Sequence, residues 1–409
     1  MNSNVNSINE YLKYIDRDLH IENVSCKFLA KKYGTPIYCY SLKKIEDNFR
    51  RLRRSFSKIN PMICYAVKAN YNGKILSTLS KLGSGADVVS QGELKKSLDF
   101  GIRSDKIVFS GVGKTTNEIR YAIKKGIKQI NVESEEEIHD IVEIGKKNQE
   151  YKINISIRVN PNVDAKTHEK ISTGRSEDKF GISIKNVKEI FQKFRNYKFI
   201  NINGLSMHIG SQIVSIRPFE KAFKKMRGEI LRLEKFGFKM KTLDLGGGIG
   251  INYNNNKVLS LTSYAKCVEK YFGDLDVQVI LEPGRYLVGS SGIIISKVIR
   301  RKKGNKKNFL IINSGMNNLI RPSLYNAFHK LIPANVKLNI KKSVFDIVGP
   351  ICESSDIFGK DILFQDMKKN ELIIICTTGA YGSSMASDYN LQKKAKEIFI
   401  ENKKDFLSK

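Results

Sequence analysis

Much that would point to other classes of protein is missing from this chain. No apolar stretch approaches the length of about 20 residues that a membrane-crossing helix needs, so no membrane partner is expected. The six cysteines, at 26, 39, 64, 267, 352 and 376, contain no C-x-x-C pair and no framework spacing. A disulfide scaffold is thereby excluded, and no metal site is expected. The N-terminus is polar and carries no signal-like apolar segment, so the thiols are expected to be reduced and the protein soluble and cytoplasmic. Acidic residues are scarce beside basic ones, 41 against 71, which leaves a formal charge of +30. Such an excess can signal contact with nucleic acid or a membrane surface. Here, however, the basic residues are spread along the chain, mostly on helix faces such as Arg50, Arg51, Arg53 and Arg54. Only Arg300-Arg301-Lys302-Lys303-Gly304-Asn305-Lys306-Lys307 is dense, and it reads as a solvated turn between strands. No basic, aromatic-interleaved motif accompanies the charge, and no nucleic-acid partner is expected.

What is present is a repeated pattern. At 409 residues, with 41% hydrophobic and 27% charged residues, the chain is an ordinary globular composition large enough for two domains. From residue 63, short apolar runs alternate with amphipathic segments rich in Lys and Glu. The runs predict strands at 63–69, 86–90, 106–111, 129–134, 154–160, 202–210, 242–248 and 277–284. Between them, stretches such as 116–125, 135–147 and 219–236 place apolar residues three or four apart, as helices do. Eight strand–helix units with nearly continuous apolar strands predict an α/β fold, a parallel (β/α)8 barrel of TIM type over residues 44–287. A doubly wound open sheet is the alternative, but eight units in so short a span suit the barrel better. After residue 288 the texture changes. Runs at 308–313, 344–348 and 372–376, separated by Gly, Asn and Lys turns, predict a β-rich second domain. That domain is expected to comprise residues 1–43 and 288–409, with Pro36–Tyr40 joining its sheet.

In such barrels the reacting groups sit where the strands end, and the loops after strands 7 and 8 commonly hold phosphate. The predicted strand ends carry Lys68, Ser90, Gly111, Glu133, Asn160, His208, the triplet Gly246-Gly247-Gly248, and Glu282-Pro283-Gly284-Arg285. A lysine at the mouth of a buried strand is costly unless its amine is used, commonly as a Schiff base to a carbonyl. Glycines let backbone N–H groups approach an anion, a carboxylate can meet a ring nitrogen, and an imidazole can stack on a ring face. An aldehyde, a phosphate and a ring nitrogen together describe pyridoxal 5'-phosphate. Each element alone has a plainer reading: a snorkelling lysine, a core histidine, a tight turn, an ion pair. Their conjunction at matching barrel ends favours the cofactor. The segment Gly111-Val112-Gly113-Lys114-Thr115-Thr116 imitates the tail of a P-loop. The full motif needs a glycine where Val108 stands, so a nucleoside-triphosphatase is not expected.

Specific motifs then carry a resemblance from about residue 35 to 402. They are YAVKAN at 65–70, GADVVSQGEL at 85–94, RVNPNVDAKTHEKISTG at 158–174, KFGI at 179–182, HIGSQI at 208–213, LDLGGGIG at 243–250 and EPGR at 282–285. GMNNLIRPSLYNAFH at 315–329, GPICESSDIFGKD at 349–361 and GAYGSSMASDYN at 379–390 follow. The chain resembles the diaminopimelate decarboxylases, which share their fold type with alanine racemase and the eukaryotic-type ornithine decarboxylases. The lysine strand and EPGR are common to the fold type; the THEKISTG stretch and CESSD are specific to the diaminopimelate branch. The resemblance implies that Lys68 carries pyridoxal 5'-phosphate covalently, His208 stacks on its ring and Glu282 meets its nitrogen. It implies that Ser211, Gly248 and Glu282-Pro283-Gly284-Arg285 hold the phosphate, with Tyr381 also at the cofactor. Arg285, Arg321, Tyr325, Glu353 and Tyr381 match substrate-binding positions, and Cys352 matches the proton donor. It further implies a homodimer in which the segment around Cys352 and Glu353 completes the partner's site. The expected reaction is decarboxylation of meso-diaminopimelate to L-lysine, the last step of lysine biosynthesis. A sister enzyme acting on ornithine, arginine or carboxynorspermidine is the alternative; Arg321, Cys352-Glu353 and Thr167-His168 favour the first. A non-catalytic relative would show a broken lysine, glycine triplet or cysteine, and none is broken. Two departures stand out. Asn313-Ser314 replaces a more usual acidic residue and alanine, and Leu391-Gln392-Lys393-Lys394 lacks a customary arginine.

Overall fold

A computed structural model describes residues 7–148, 150, 152–165, 173–175, 177–254, 258–401 and 404–407. The chain divides into two compact units. One comprises Asn48–Ile251 with Lys257–Tyr286, the other Met1–Asp47, Asn252–Asn256 and Leu287–Lys409.

The first unit is a closed barrel of eight parallel strands. In chain order these are β1 (Met62–Ala66), β2 (Gly85–Val88), β3 (Ile107–Phe109), β4 (Gln129–Val132), β5 (Ile153–Asn160), β6 (Ile200–Ser206), β7 (Thr242–Asp244) and β8 (Gln278–Leu281). Each pairs with the next, and β8 returns to β1 through Ile280↔Met62 and Leu281↔Ile63. Strands β2, β3, β4 and β7 are buried at every residue, as expected of strands covered by helices on one face and filled by side chains on the other. Each of the first four strand-to-helix loops ends in a side chain that caps the helix after it. Asn72, Ser90, Thr115 and Ser134 accept backbone N–H bonds at the starts of helices 73–81, 91–99, 116–124 and 135–147. Thr115 and Glu118 form a reciprocal capping box. Such caps determine where each loop stops, and hence how much chain is left at the barrel mouth.

The strands are shorter than predicted at the ends that matter. β1 stops at Ala66 and Val67–Ala69 forms a 3-10 turn; β7 stops at Asp244, before the glycines. Residues just beyond those ends, Val67, Leu245 and Ile249, are buried, so hydrophobicity continues past the point where strand pairing ceases.

The second unit is β-rich. Strand Ile37–Ser41 pairs antiparallel with Gly292–Lys303 and parallel with Lys396–Glu401. Strands Asn308–Ile312, Lys342–Val348 and Leu372–Ile375 occupy the C-terminal runs read as strands, and Ile357–Gln365 pairs with Lys342–Val348. A core including Leu29, Ile37, Ile295, Ile374 and Ile398 underlies the sheet. The dense basic run is not a turn throughout: Arg300–Lys303 ends the strand Gly292–Lys303, with Lys303 paired to Asn308 across the hairpin. Arg301 packs over Phe345 and pairs with Asp366, so part of this charge is locally balanced. Asn313, the unusual residue, accepts from Ser296 Oγ and the Lys297 N–H and donates to Thr35 Oγ1. Ser296 Oγ in turn accepts the N–H of Ser314. The departure from the acidic residue is thus absorbed in a neutral network. Leu391, in the other departure, is almost fully exposed. Among the described residues no helix is long and apolar enough to cross a membrane.

Candidate active site

Lys68 sits on the 3-10 turn directly after β1, and its Nζ donates to Asp87 Oδ2 on β2 at 2.7 Å. Asp87 is fully buried, and its Oδ1 has no hydrogen-bond partner among the described residues. Lys68 shares a cavity of about 380 Å³ with Ser110, Arg158, His208 and Glu282. All of these side chains come from the C-terminal ends of barrel strands or the loops that follow.

A hydrogen-bonded chain crosses the barrel interior beneath them. Gln129 Nε2 donates to Asn131 Oδ1, and Asn131 Nδ2 donates both to Ser110 Oγ and to Asp244 Oδ2. Ser110 Oγ donates onward to Glu282 Oε1 at 3.3 Å. Asp244 also accepts the N–H of Gly246, and the Asp244 and Glu282 carboxyls are close enough to shift one another's titration. Burial, with the charges of Asp244 and Asp87 close by, pushes the Glu282 carboxyl well above the usual carboxylate range. Burial raises Asp244 as well. Three buried carboxyls thus face one lysine, and a further cationic N–H donor would relieve their repulsion. A protonated pyridine nitrogen is such a donor.

His208 follows β6, and its Nδ1 accepts the N–H of Gly247. That bond requires an unprotonated Nδ1. Burial and the positive charges of Arg158 and Lys68 depress the imidazole well below its ordinary value, so a flat neutral ring stands in the cavity wall. Arg158 is held by Glu133 at 2.5 Å, and Glu133 also accepts the N–H groups of Gly111 and Gly181.

The glycine loop needs glycine for two physical reasons. Gly246 and Gly248 have positive φ, 65° and 98°, and a Cβ on Gly247 would strike the carbonyl of Glu282. The loop is zipped to the one after β6: Ile213 N–H donates to the Gly248 carbonyl, and the Gln212 amide exchanges two bonds with Ile251. Arg285 Nη2 donates to Ser211 Oγ at 3.0 Å, which places a guanidinium and a hydroxyl together beside these loops. Backbone glycines, a hydroxyl and a guanidinium form a donor set suited to a phosphate. The residues present therefore fit pyridoxal 5'-phosphate at three points: an amine, a pyridinium acceptor and an anion cradle.

In the other unit, Arg321 opens the short helix Arg321–Tyr325 and is buried. Of the six cysteines Cys352 is exposed and the other five are buried. Its N–H donates to Asn390 Oδ1, and the neighbouring exposed Glu353 accepts from Tyr389 OH at 2.6 Å. Tyr381 has a positive φ of 55°. Thr167-His168 lie outside the described residues.

Some predicted mouth residues have other duties. Ser90 caps a helix, and Asn160 tethers the carbonyls of Arg175 and Phe180. The side chain of Lys114, in the P-loop imitation, is fully buried, donating to the carbonyls of Gly111 and Asn131 and pairing with Glu137. Its amine is a structural clamp. Asp87, Asn131 and Asp244 were not assigned from sequence; Asp87 and Asp244 stand in quoted motifs, but only pairing across the barrel shows what they touch.

Because burial raises Glu282, its bound proton stabilises the cofactor-free protein at acid pH, and this contribution is lost as pH rises through the elevated value. Glu282→Gln keeps the shape without the charge. Cofactor-free Glu282→Gln is expected to melt above the cofactor-free wild type at pH 8, with the gap closing towards pH 5, while binding pyridoxal phosphate more weakly. Calorimetry at the two pH values checks this, and equal melting at both would contradict it.

The fold and site are those of a pyridoxal phosphate-dependent decarboxylase. The family model described as "Pyridoxal-dependent decarboxylase, pyridoxal binding domain" matches residues 42–289. The curated diaminopimelate decarboxylase of Aquifex aeolicus (strain VF5) is 42% identical over 395 residues, covering 96% of this chain and 93% of its own. The crystal structure of diaminopimelate decarboxylase from Helicobacter pylori complexed with L-lysine is similar with a TM-score of 0.90 and 41% identity, covering 94% of this chain and 95% of that one. The M. jannaschii enzyme in co-complex with L-lysine gives 0.92 at 34% identity, covering 98% and 95%. The chain belongs to the diaminopimelate decarboxylase family.

Proposed function

We propose that this protein decarboxylates meso-diaminopimelate to L-lysine and carbon dioxide, the last step of lysine biosynthesis. The observation that carries this is the shared cavity of Lys68 and Glu282, with the Glu282 carboxyl buried among Asp244 and Asp87. Bound pyridoxal phosphate supplies the electron sink for the bond that breaks. Lys68 holds it covalently through Nζ, His208 lies against its ring, and Glu282 keeps its nitrogen protonated. Ser211, Gly248, Pro283, Gly284 and Arg285 hold its phosphate, and Tyr381 adds a contact.

The substrate has two amino-acid ends of opposite configuration, and only one loses its carboxylate. The other must therefore be gripped by complementary charge. Arg321, with Arg285, Tyr325 and Tyr381, serves the carboxylate, and Glu353 serves the ammonium. When carbon dioxide leaves, its electron pair stays with the carbon, and the Cys352 thiol supplies the replacing proton. An exposed Cys352 and Glu353 suit a homodimer in which each subunit lends this segment to the other's site. The absence of a long apolar helix among the described residues and the five buried free thiols support a cytoplasmic protein.

The direct test is incubation with pyridoxal phosphate and meso-diaminopimelate, following lysine and carbon dioxide beside parallel reactions with ornithine, arginine and carboxynorspermidine. Preferential turnover of any of the last three would replace this reading with the sister activity.

A further inference from the structure

His329 is nearly fully buried and touches Arg321. Its Nε2 lies 2.8 Å from Arg321 Nη1, and its Nδ1 lies 2.9 Å from the Cys376 carbonyl. A guanidinium only donates and a carbonyl only accepts. Nδ1 therefore carries the hydrogen and Nε2 the lone pair, so the imidazole is neutral and its tautomer is dictated by its two partners. Tyr253 completes the arrangement. Its ring lies 4.9 Å beneath the Arg321 guanidinium and meets the His329 ring edge to face at 5.3 Å. Arg321 is thus held along one N–H and across one face by two uncharged groups.

An uncharged holder has a specific consequence. A carboxylate in the place of His329 would orient the guanidinium but cancel the charge a substrate anion needs. A neutral imidazole orients it without itself cancelling that charge. We infer that His329 is a positioning residue, which with Tyr253 aims Arg321 at the carboxylate that the substrate retains. This rests on the proposed role of Arg321 in gripping that carboxylate.

The test uses the holoenzyme and four variants: His329→Phe, His329→Gln, Tyr253→Leu and Arg321→Met. Phe keeps a flat ring without the acceptor, whereas Gln can accept from Arg321 and donate to the Cys376 carbonyl. His329→Phe is expected to raise KM for diaminopimelate about tenfold or more, as loss of a hydrogen bond to a charged group does, with kcat within about threefold of wild type. His329→Gln is expected to recover most of that loss. The same loss should appear in inhibition by L-lysine, which bears the retained carboxylate, and not by cadaverine, which lacks it. A general loosening of the fold would weaken both inhibitors alike. Tyr253→Leu removes the stacking face without touching the His329 bonds, and is expected to give the same split, smaller, should His329→Phe not fold. An unchanged KM in His329→Phe beside a raised KM in Arg321→Met would overturn the positioning role alone. An unchanged KM in Arg321→Met would overturn the Arg321 reading, and this inference with it.

Discussion

Lys68→Ala is expected to lose the visible absorbance of the lysine-bound cofactor and to lower turnover at least about 10³-fold, since the tether that holds the reacting carbon in place is gone. The structure sharpens this expectation. Lys68 pairs with Asp87, and Asp87 is fully buried with one oxygen already without a partner among the described residues. Truncating the lysine leaves the other oxygen unpaired too, so cofactor-free Lys68→Ala is also expected to be less stable than wild type. Absorbance spectra, turnover and thermal melting read the three effects separately. Wild-type colour in Lys68→Ala would remove this residue from its assigned role.

Cys352→Ala is expected to retain the absorbance and lose roughly 10²- to 10⁴-fold in turnover, the usual worth of a positioned proton donor. The thiol belongs to an exposed segment, and its removal opens no cavity in a core, so the melting temperature should stay near that of wild type. Mixing is the sharper experiment. In a dimer whose sites each combine Lys68 of one subunit with Cys352 of the other, a Lys68→Ala/Cys352→Ala heterodimer has one intact site of two. Random exchange of equal amounts then restores about a quarter of wild-type activity. No recovery after verified exchange would refute the lent segment, and full turnover by Cys352→Ala alone would refute the proton donor.

Much of the first unit could be read in advance because its signals are local. Apolar runs of strand length, amphipathic segments of helical period, and Asn, Ser or Thr before each early helix all lie within a few residues of one another. The reading failed at strand ends for a definable reason. Val67, Leu245 and Ile249 are as buried as strand residues, yet they belong to the turns that present Lys68 and the glycines. Hydropathy reports burial and not hydrogen-bond pairing. The basic run at 300–307 failed in the opposite sense, since exposed lysines and arginines can edge a strand as readily as form a turn.

The chain's own order of residues determined the alternation of strands and helices, the positions where loops must be glycine, and which segment bears a reactive amine. Each of those follows from backbone sterics and local periodicity. It could not determine that Asn131 would divide its two hydrogens between Ser110 and Asp244, or that burial beside Asp244 and Asp87 would push the Glu282 carboxyl well above its ordinary range. Nor could it show that a neutral histidine braces Arg321. Those outcomes depend on which polar side chains from distant strands face one another in a closed interior, where desolvation makes every missing partner costly, and only the folded arrangement decides that.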